Sequence, residues 1–343
     1  MNIQYPTANN QCPNAKGNLE IGSWPLEIRR GPRGGNSCLF CAFLRLNKRG
    51  RGRGKKRMNI AFIIGYIVLS PLIGGLISGL DRIVTARMQG RVGPPVLQPF
   101  YDVFKLFEKQ NLTVNRFHGY YLICFLVFVL MSGAMFFGGS DLLLIIFAFT
   151  VADILLVLAG YSTNSPYSSI GAERELLQML AAEPMLLLTG VGFYMVTGSF
   201  HVSEICRTAL AGKSLILYLP GVFVALTFVL TIKFRKSPFD LSTSHHAHQE
   251  LIKGITTEFA GPSLAIIEIA HWYETILLLG LIYLFFAFEP LLGIAITLLI
   301  YFIEILIDNV NARIKWELML KASWLVTIVL GVGNLIVLYL LFH

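Results

Sequence analysis

From residue 58 onward, long apolar runs alternate with polar breaks, and the runs are of bilayer length. Eight read as membrane-spanning helices, over 59–80, 118–138, 141–160, 175–197, 215–233, 263–287, 290–307 and 322–342. A helix rises about 1.5 Å per residue, so about 20 apolar residues cross a hydrocarbon layer roughly 30 Å thick. Backbone polar groups in lipid must be satisfied within the segment, which makes helices the expected form. The connection 81–117 carries a further pattern. Phe100, Val103, Phe104 and Phe107 fall on one stripe, as in an amphipathic helix lying in the membrane interface. The expected fold is an all-α integral membrane protein with eight transmembrane helices plus one interfacial helix.

Composition agrees with the pattern. Hydrophobic residues make up 55% of the chain and charged ones 14%, with a mean hydropathy of +0.65. Soluble domains have about 45–50% apolar and about 25% charged residues, so a water-soluble enzyme, a disordered regulator and a disulfide-stapled secreted domain are excluded. The net charge of +8 is not spread evenly: residues 1–57 hold 12 Lys/Arg against Glu20 and Glu27, and the rest hold 16 against 18 acids. No nucleic-acid partner is therefore expected; the implied partner is the lipid bilayer. Residues 1–57 are rich in Gly, Asn, Pro and Arg and end in a basic run from Lys48 to Arg57, a composition that predicts disorder. Within them, Cys38 and Cys41 have CxxC spacing, but no second pair or histidine lies nearby, and they read as incidental.

Orientation follows from Lys and Arg in the connections. The odd-numbered connections (81–117, 161–174, 233–262, 308–321) carry 14, the even-numbered ones only Arg207 and Lys213. This places the odd connections in the cytoplasm of a multi-pass cell-membrane protein, with the residue before the first span outside. A tail of 12 basic residues would then have to be translocated against the same rule. The expectation is that the working protein starts at Met58; the alternative is a genuine extension overridden by the charges downstream.

Ionisable residues inside spans cost on the order of 2.5–3.5 kcal/mol each at the bilayer centre, so they face protein or water and serve a purpose. Asp153, Glu173, Arg174, Glu175, Gln178, Glu183, Glu268, His271, Glu274, Glu304 and Asp308 are of this kind. Several recur at helical spacing: Arg174 with Gln178, Glu304 with Asp308 and Asn311, Glu250 with Gly254 and Glu258. Carboxylates with an amide, a histidine or a base within a turn suit proton passage; the structural alternative is pairing with bases of the same loops, to which Glu204 and Glu289 are assigned. His245, His246 and His248 lack a Cys or Asp at ligand spacing and read as a docking loop or cavity lining rather than a metal site. No GxGxxG, P-loop, cluster-binding cysteine run or haem signature is present. The chain reads as a conduit or coupling part with no catalytic residues and no cofactor of its own.

Three stretches carry a family resemblance. Arg91-Val92-Gly93-Pro94-Pro95 through Leu97-Gln98-Pro99, Asp102 and Lys105-Leu106 resembles the loop after the first helix in a membrane component of complex I, the NADH dehydrogenase subunit 1 family. Arg174, Gln178 and Glu183 match that family's RxxxQxxxxE. Pro238-Phe239-Asp240-Leu241, then Glu250-Leu251, Gly254, Glu258-Phe259 and Gly261, match its PFDL and ELxxGxxTEYxG motifs. The likeness covers 58–343. The acidic stretch that borders the quinone chamber in complex I is replaced here by Ser242-Thr243-Ser244-His245-His246-Ala247-His248-Gln249. That version, with Glu268-Ile269-Ala270-His271-Trp272-Tyr273-Glu274, looks like the homologous component of energy-converting (Ech-type) nickel–iron hydrogenases.

The resemblance implies a non-redox anchor and coupling subunit of a ferredoxin-linked, ion-translocating hydrogenase. The nickel–iron centre and iron–sulfur clusters would sit in partner subunits, with hydrogenase large and small subunits, an iron–sulfur subunit and antiporter-like membrane subunits as partners. No quinone would be needed. It implies a soluble-arm interface at Arg91, Gln98, Asp102, Lys105, Arg174, Gln178, Asp240 and Glu250, to which Arg313 and Lys315 supply further charge. Glu183 and Glu258 enter the ion path through family motifs; Glu268, His271, Glu304 and Asp308 join it by intramembrane position. The alternatives are the equivalent component of a complex I-like quinone oxidoreductase, a formate-hydrogenlyase or sulfur-reducing relative, and, in another class, a stand-alone secondary transporter.

Overall fold

The computed structural model of the chain describes residues 53–110, 116–212, 214–242 and 253–342. The tail with Cys38 and Cys41, and the segment holding His245, His246, His248 and Glu250, lie outside the described residues. The elements run α1 (Arg53–Met88), α2 (Gln98–Glu108), α3 (Arg116–Phe137), α4 (Leu142–Tyr161), α5 (Pro166–Thr197), α6 (Val202–Leu210), α7 (Pro220–Lys233), α8 (Pro262–Phe285) and α9 (Pro290–Val310). The last helix, α10, starts as Trp316–Val326, widens into a π-helical stretch Thr327–Val332 and continues as Gly333–Phe342. Prolines open α5, α7, α8 and α9, where a missing N–H costs nothing.

Among the described residues, seven helices are long and apolar enough to cross a membrane. Of the eight expected spans, the one over 215–233 is apolar and helical but interrupted. There a one-turn helix, Leu215–Tyr218, breaks at Leu219, and α7 proper has 14 residues. The break falls before Pro220, which cannot donate to the preceding turn. Asn334 of α10 fills the gap: its Oδ1 accepts from the N–H of Gly221 (2.8 Å) and Val222 (3.1 Å), and its Nδ2 donates to the Tyr218 carbonyl (3.2 Å).

The odd-numbered connections meet at one end of the bundle. Gln89 reaches Asn309, Ser168 donates to the Ile255 carbonyl, and Arg313 pairs with Asp240. At the opposite end the residues before α4 and α6 form a short antiparallel bridge, Asp141 with His201. The largest apolar core among the described residues draws on α3 through α10, with Phe136, Phe193, Phe285 and Met185 essentially inaccessible.

The amphipathic stripe expected on α2 splits. Phe100 and Val103 pack inward, Phe100 at 5.2 Å from the Trp272 ring of α8. Phe104 and Phe107 point outward together with Tyr101. α2 can lie so close to α1 because Gly75 and Gly79 there leave room for the Phe100 ring and the Val96 carbonyl.

Candidate functional site

Three basic residues stand at the end of α7, and each enters the interior. Lys233 ends the helix, and Arg235 then adopts a left-handed conformation (φ +52°) that turns the chain within three residues. That turn lets the bases reach different walls. Lys233 Nζ donates to Asp153 Oδ2 of α4 (2.6 Å) and to Glu183 Oε1 of α5 (3.0 Å). The second Glu183 oxygen accepts from Thr150 (2.7 Å). Arg235 donates to Glu175 of α5 (2.8 Å) and to Glu274 of α8 (3.3 Å). Lys236 donates to Asp81 of α1 (2.7 Å), where the Tyr301 hydroxyl of α9 also donates (3.1 Å).

His271 completes the cluster. Its Nδ1 lies 3.0 Å from Arg235 Nη1 and 2.9 Å from Glu274 Oε2. Neutral, it can accept from the guanidinium; with a proton on Nδ1, it donates to the carboxylate. The two arrangements share one atom, so moving a proton exchanges one hydrogen bond for the other.

Placing ions in a low-dielectric interior costs several kcal/mol each, and only close pairing with further hydrogen bonds recovers it. Here pairing is close but incomplete. Glu175 Oε2, Glu274 Oε1, Gln178 Oε1 and both oxygens of Glu304 have no hydrogen-bond partner among the described residues. Beside the network lies a cavity of about 300 Å³ lined by Asp81, Arg235, Lys236, Glu268, His271 and Tyr301. A polar cavity of that size accommodates several waters.

The residues expected in the ion path are placed unevenly. Glu183 and His271 belong to the network directly. Glu268 lines the cavity one turn before His271. Glu304 is completely buried on α9, in the field of Lys236 and beside Thr231. Asp308 accepts from the Ser237 N–H (2.7 Å) at the end of the same helix. Glu258 is half-buried in the loop before α8, and no ion pair among the described residues joins it to the network.

The residues expected at the soluble-arm interface divide as well. Arg91 and Lys315 are exposed, and Arg91 is hydrogen-bonded to Gln89. Arg313 grips Asp240 with two donors (2.7 and 2.6 Å), which raises the guanidinium's proton affinity. Gln178 is buried and donates to the Phe239 carbonyl, pinning the PFDL loop against α5. Arg174, on the same helix, is partly exposed. Asp102 accepts from Arg82 (2.6 Å) and Gln98 (2.8 Å). Its burial opposes ionisation, but those two donors outweigh it and hold the carboxyl below the usual range. Lys105 is exposed one turn farther along α2.

Sequence reasoning missed Lys233, Arg235, Lys236 and Asp81 as site residues. The three bases followed an apolar run and were counted with loop charges. A signal for them existed. The membrane body holds nearly equal numbers of acids and bases, so acids at membrane depth require bases brought in from segment ends. Among the described residues, no group of three or more His, Cys, Asp or Glu side chains is placed to share a metal ion.

Comparison with known proteins agrees with this architecture. The family model described as NADH dehydrogenase matches residues 60–339. Hydrogenase-4 component C of Escherichia coli is 28% identical over 292 residues, covering 78% of this chain and 92% of the relative. Formate hydrogenlyase subunit 4 of the same organism is 28% identical, covering 75% and 94%. An NADH-quinone oxidoreductase subunit of Dehalococcoides mccartyi is 25% identical over 81% of this chain and 84% of its own length. A chain in the structure of the membrane-bound sulfane sulfur reductase, an archaeal respiratory membrane complex, superposes with a TM-score of 0.70 at 25% identity, covering 81% and 99%. The resemblance drawn from the sequence motifs is borne out: the chain belongs to the NADH dehydrogenase family of membrane subunits, the subunit 1 family of complex I.

Proposed function

We propose that this chain is the membrane anchor and coupling subunit of a ferredoxin-linked, ion-translocating nickel–iron hydrogenase of the Ech type. The nickel–iron centre and iron–sulfur clusters belong to partner subunits: hydrogenase large and small subunits and an iron–sulfur subunit. Antiporter-like subunits stand beside the chain in the membrane. The single observation that carries the reading is the buried network of Lys233, Arg235 and Lys236 with carboxylates of four helices. An anchor alone gains nothing from charges that cost several kcal/mol each to bury, whereas a coupling part needs groups that respond to protonation. The end of the bundle where the odd connections meet faces the cytoplasm and holds the soluble arm, through Arg91, Arg174, Asp240, Arg313 and Lys315. Within the network, His271 exchanges partners as a proton arrives, Glu183 belongs to the same path, and Glu268, Glu304 and Asp308 extend it on either side.

Glu183→Gln tests the relay, because glutamine keeps shape and hydrogen bonding but cannot titrate. The expected result is normal assembly of the complex with ions moved per hydrogen evolved falling at least tenfold, as for a lost proton-transfer group. Normal assembly with unchanged transport removes Glu183 from the path.

One observation favours a second reading. The cavity of about 300 Å³ beside His271 has the size of a small-molecule pocket, and one relative is a quinone oxidoreductase component. Activity that requires added quinone would select that complex I-like role over the hydrogenase.

A further inference from the structure

A second cavity, of about 280 Å³, opens between α1, α2 and the start of α8. Its wall includes Arg82, Asp102, Lys105, Lys109, Leu264 and Glu268. The charges do not cancel: three bases face two acids, and Asp102 is already held by Arg82 at 2.6 Å. Lys105, in the last turn of α2, and Lys109, the extended residue just past its end, carry the excess, and neither side chain has a hydrogen bond or ion pair among the described residues. The cavity adjoins the one beside the charge network, and Leu264 and Glu268 line both spaces.

The depth of the cavity decides its ligand. α2 has three faces: Phe100 and Val103 pack on Trp272, the cavity side presents the lysines, and Tyr101 (58% exposed) and Phe104 (66% exposed) point away. Exposed aromatics on a helix between membrane spans mark the headgroup level of a bilayer. Arg82 lies six residues before the end of α1, and Glu268 lies in the second turn of α8, so both helices enter the bilayer here. Leu72, Leu76 and Leu80, farther along α1 inside the span, are exposed. A basic pocket between helices at headgroup depth recognises an anionic headgroup. A cavity of about 280 Å³ has room for a headgroup but not for the acyl chains of a lipid.

We propose that this cavity binds the phosphate of an anionic phospholipid, held by Lys105 and Lys109 with Arg82 behind them. The acyl chains run down the exposed side of α1. The site adds a lipid-specific contact that fixes α2 against the bundle.

The test is native mass spectrometry of the full chain titrated with phosphatidylglycerol and, in parallel, phosphatidylcholine. Preferential binding of phosphatidylglycerol is expected. Each basic residue near a membrane surface is worth about fivefold in binding. Lys105→Ala with Lys109→Ala should therefore weaken phosphatidylglycerol binding by about 25-fold, and the Lys→Arg pair should retain it. An alanine pair that binds as the parent protein does overturns the proposal. So does an equal loss from Arg87→Ala with Lys321→Ala, which removes the same charge elsewhere. Displacement of the lipid by millimolar inorganic phosphate would make this a site for free anions and reject the lipid. Should circular dichroism show the alanine pair unfolded, Glu268→Gln decides. Loss of its charge should tighten phosphatidylglycerol binding several-fold, and unchanged binding rejects the site.

Discussion

Lys233 has 8% of its side chain exposed and serves two carboxylates, Asp153 and Glu183, exposed to 5% and 14%. Removing its charge alone strands both acids. Breaking a buried ion pair from one side costs about 3–5 kcal/mol, because the remaining charge loses its partner but stays buried. Lys233→Met keeps the length and packing of the stem, so its effect reports the charge. The expected outcome is a loss of about 3–5 kcal/mol, read as a lowered unfolding midpoint in detergent. Adding Asp153→Asn and Glu183→Gln to the same chain should recover most of it, since neutral amides need no counter-ion. A triple variant as unstable as Lys233→Met would show that the stem, not the charge, is what matters there. The sequence made the acids visible, because an ionisable residue inside an apolar run stands out. It hid the bases, because Lys233 ends its run and Arg235 and Lys236 sit beyond it, where loop charges also sit.

Helix α5 shows what an element can demand of one position. Gly171 faces the loop 254–256, and a Cβ there would run into the backbone of Gly254 and Ile255. The same loop is tied to α5 by Ser168, whose hydroxyl donates to the Gly160 and Ile255 carbonyls. In an open helix Gly→Ala stabilises by up to about 1 kcal/mol. At Gly171 the sign should reverse, with a loss of about 1–3 kcal/mol from overpacking against a backbone that cannot yield. Gly65→Ala on α1, with nothing within 4 Å of the added carbon, serves as the reference and should not destabilise. Thermal unfolding of the two variants side by side checks the pair; a Gly171→Ala chain as stable as the parent would mean that the loop is free to move away. Helix existence was legible from apolar run length throughout. The break at Leu219 was not, because 215–233 reads as one run, and only Asn334, more than a hundred residues away, supplies the partners that make an interrupted helix tolerable there.

Across the bundle, the count of positive charges that set the expected orientation changes once Lys233, Arg235 and Lys236 are seen to be buried. Removing those three leaves eleven bases on the odd connections against two on the even ones. The bias survives, so the same orientation is expected. Asn311→Cys, in the connection before α10, and Ala211→Cys, after α6, are both exposed reporters. With the native cysteines replaced, a membrane-impermeant thiol reagent should label Ala211→Cys in intact cells and Asn311→Cys only in inverted vesicles. The reverse pattern would overturn the orientation and, with it, the placement of the soluble arm.

The order of residues is enough to show that the chain is helical and crosses a membrane, because hydrocarbon admits only segments that satisfy their own backbone and those segments must have bilayer length. It is enough for the family too, through motifs at Arg91–Leu106, Arg174–Glu183 and Pro238–Gly261 that keep their order and spacing. Which charges meet is a different matter. The partners of Lys233, Arg235 and Lys236 come from α1, α4, α5 and α8, between 39 and 155 residues away. Helical spacing reports neighbours three and four residues apart on one face. Which faces of different helices are pressed together is set by packing over the whole bundle, and ion pairs between them appear only when that packing is known.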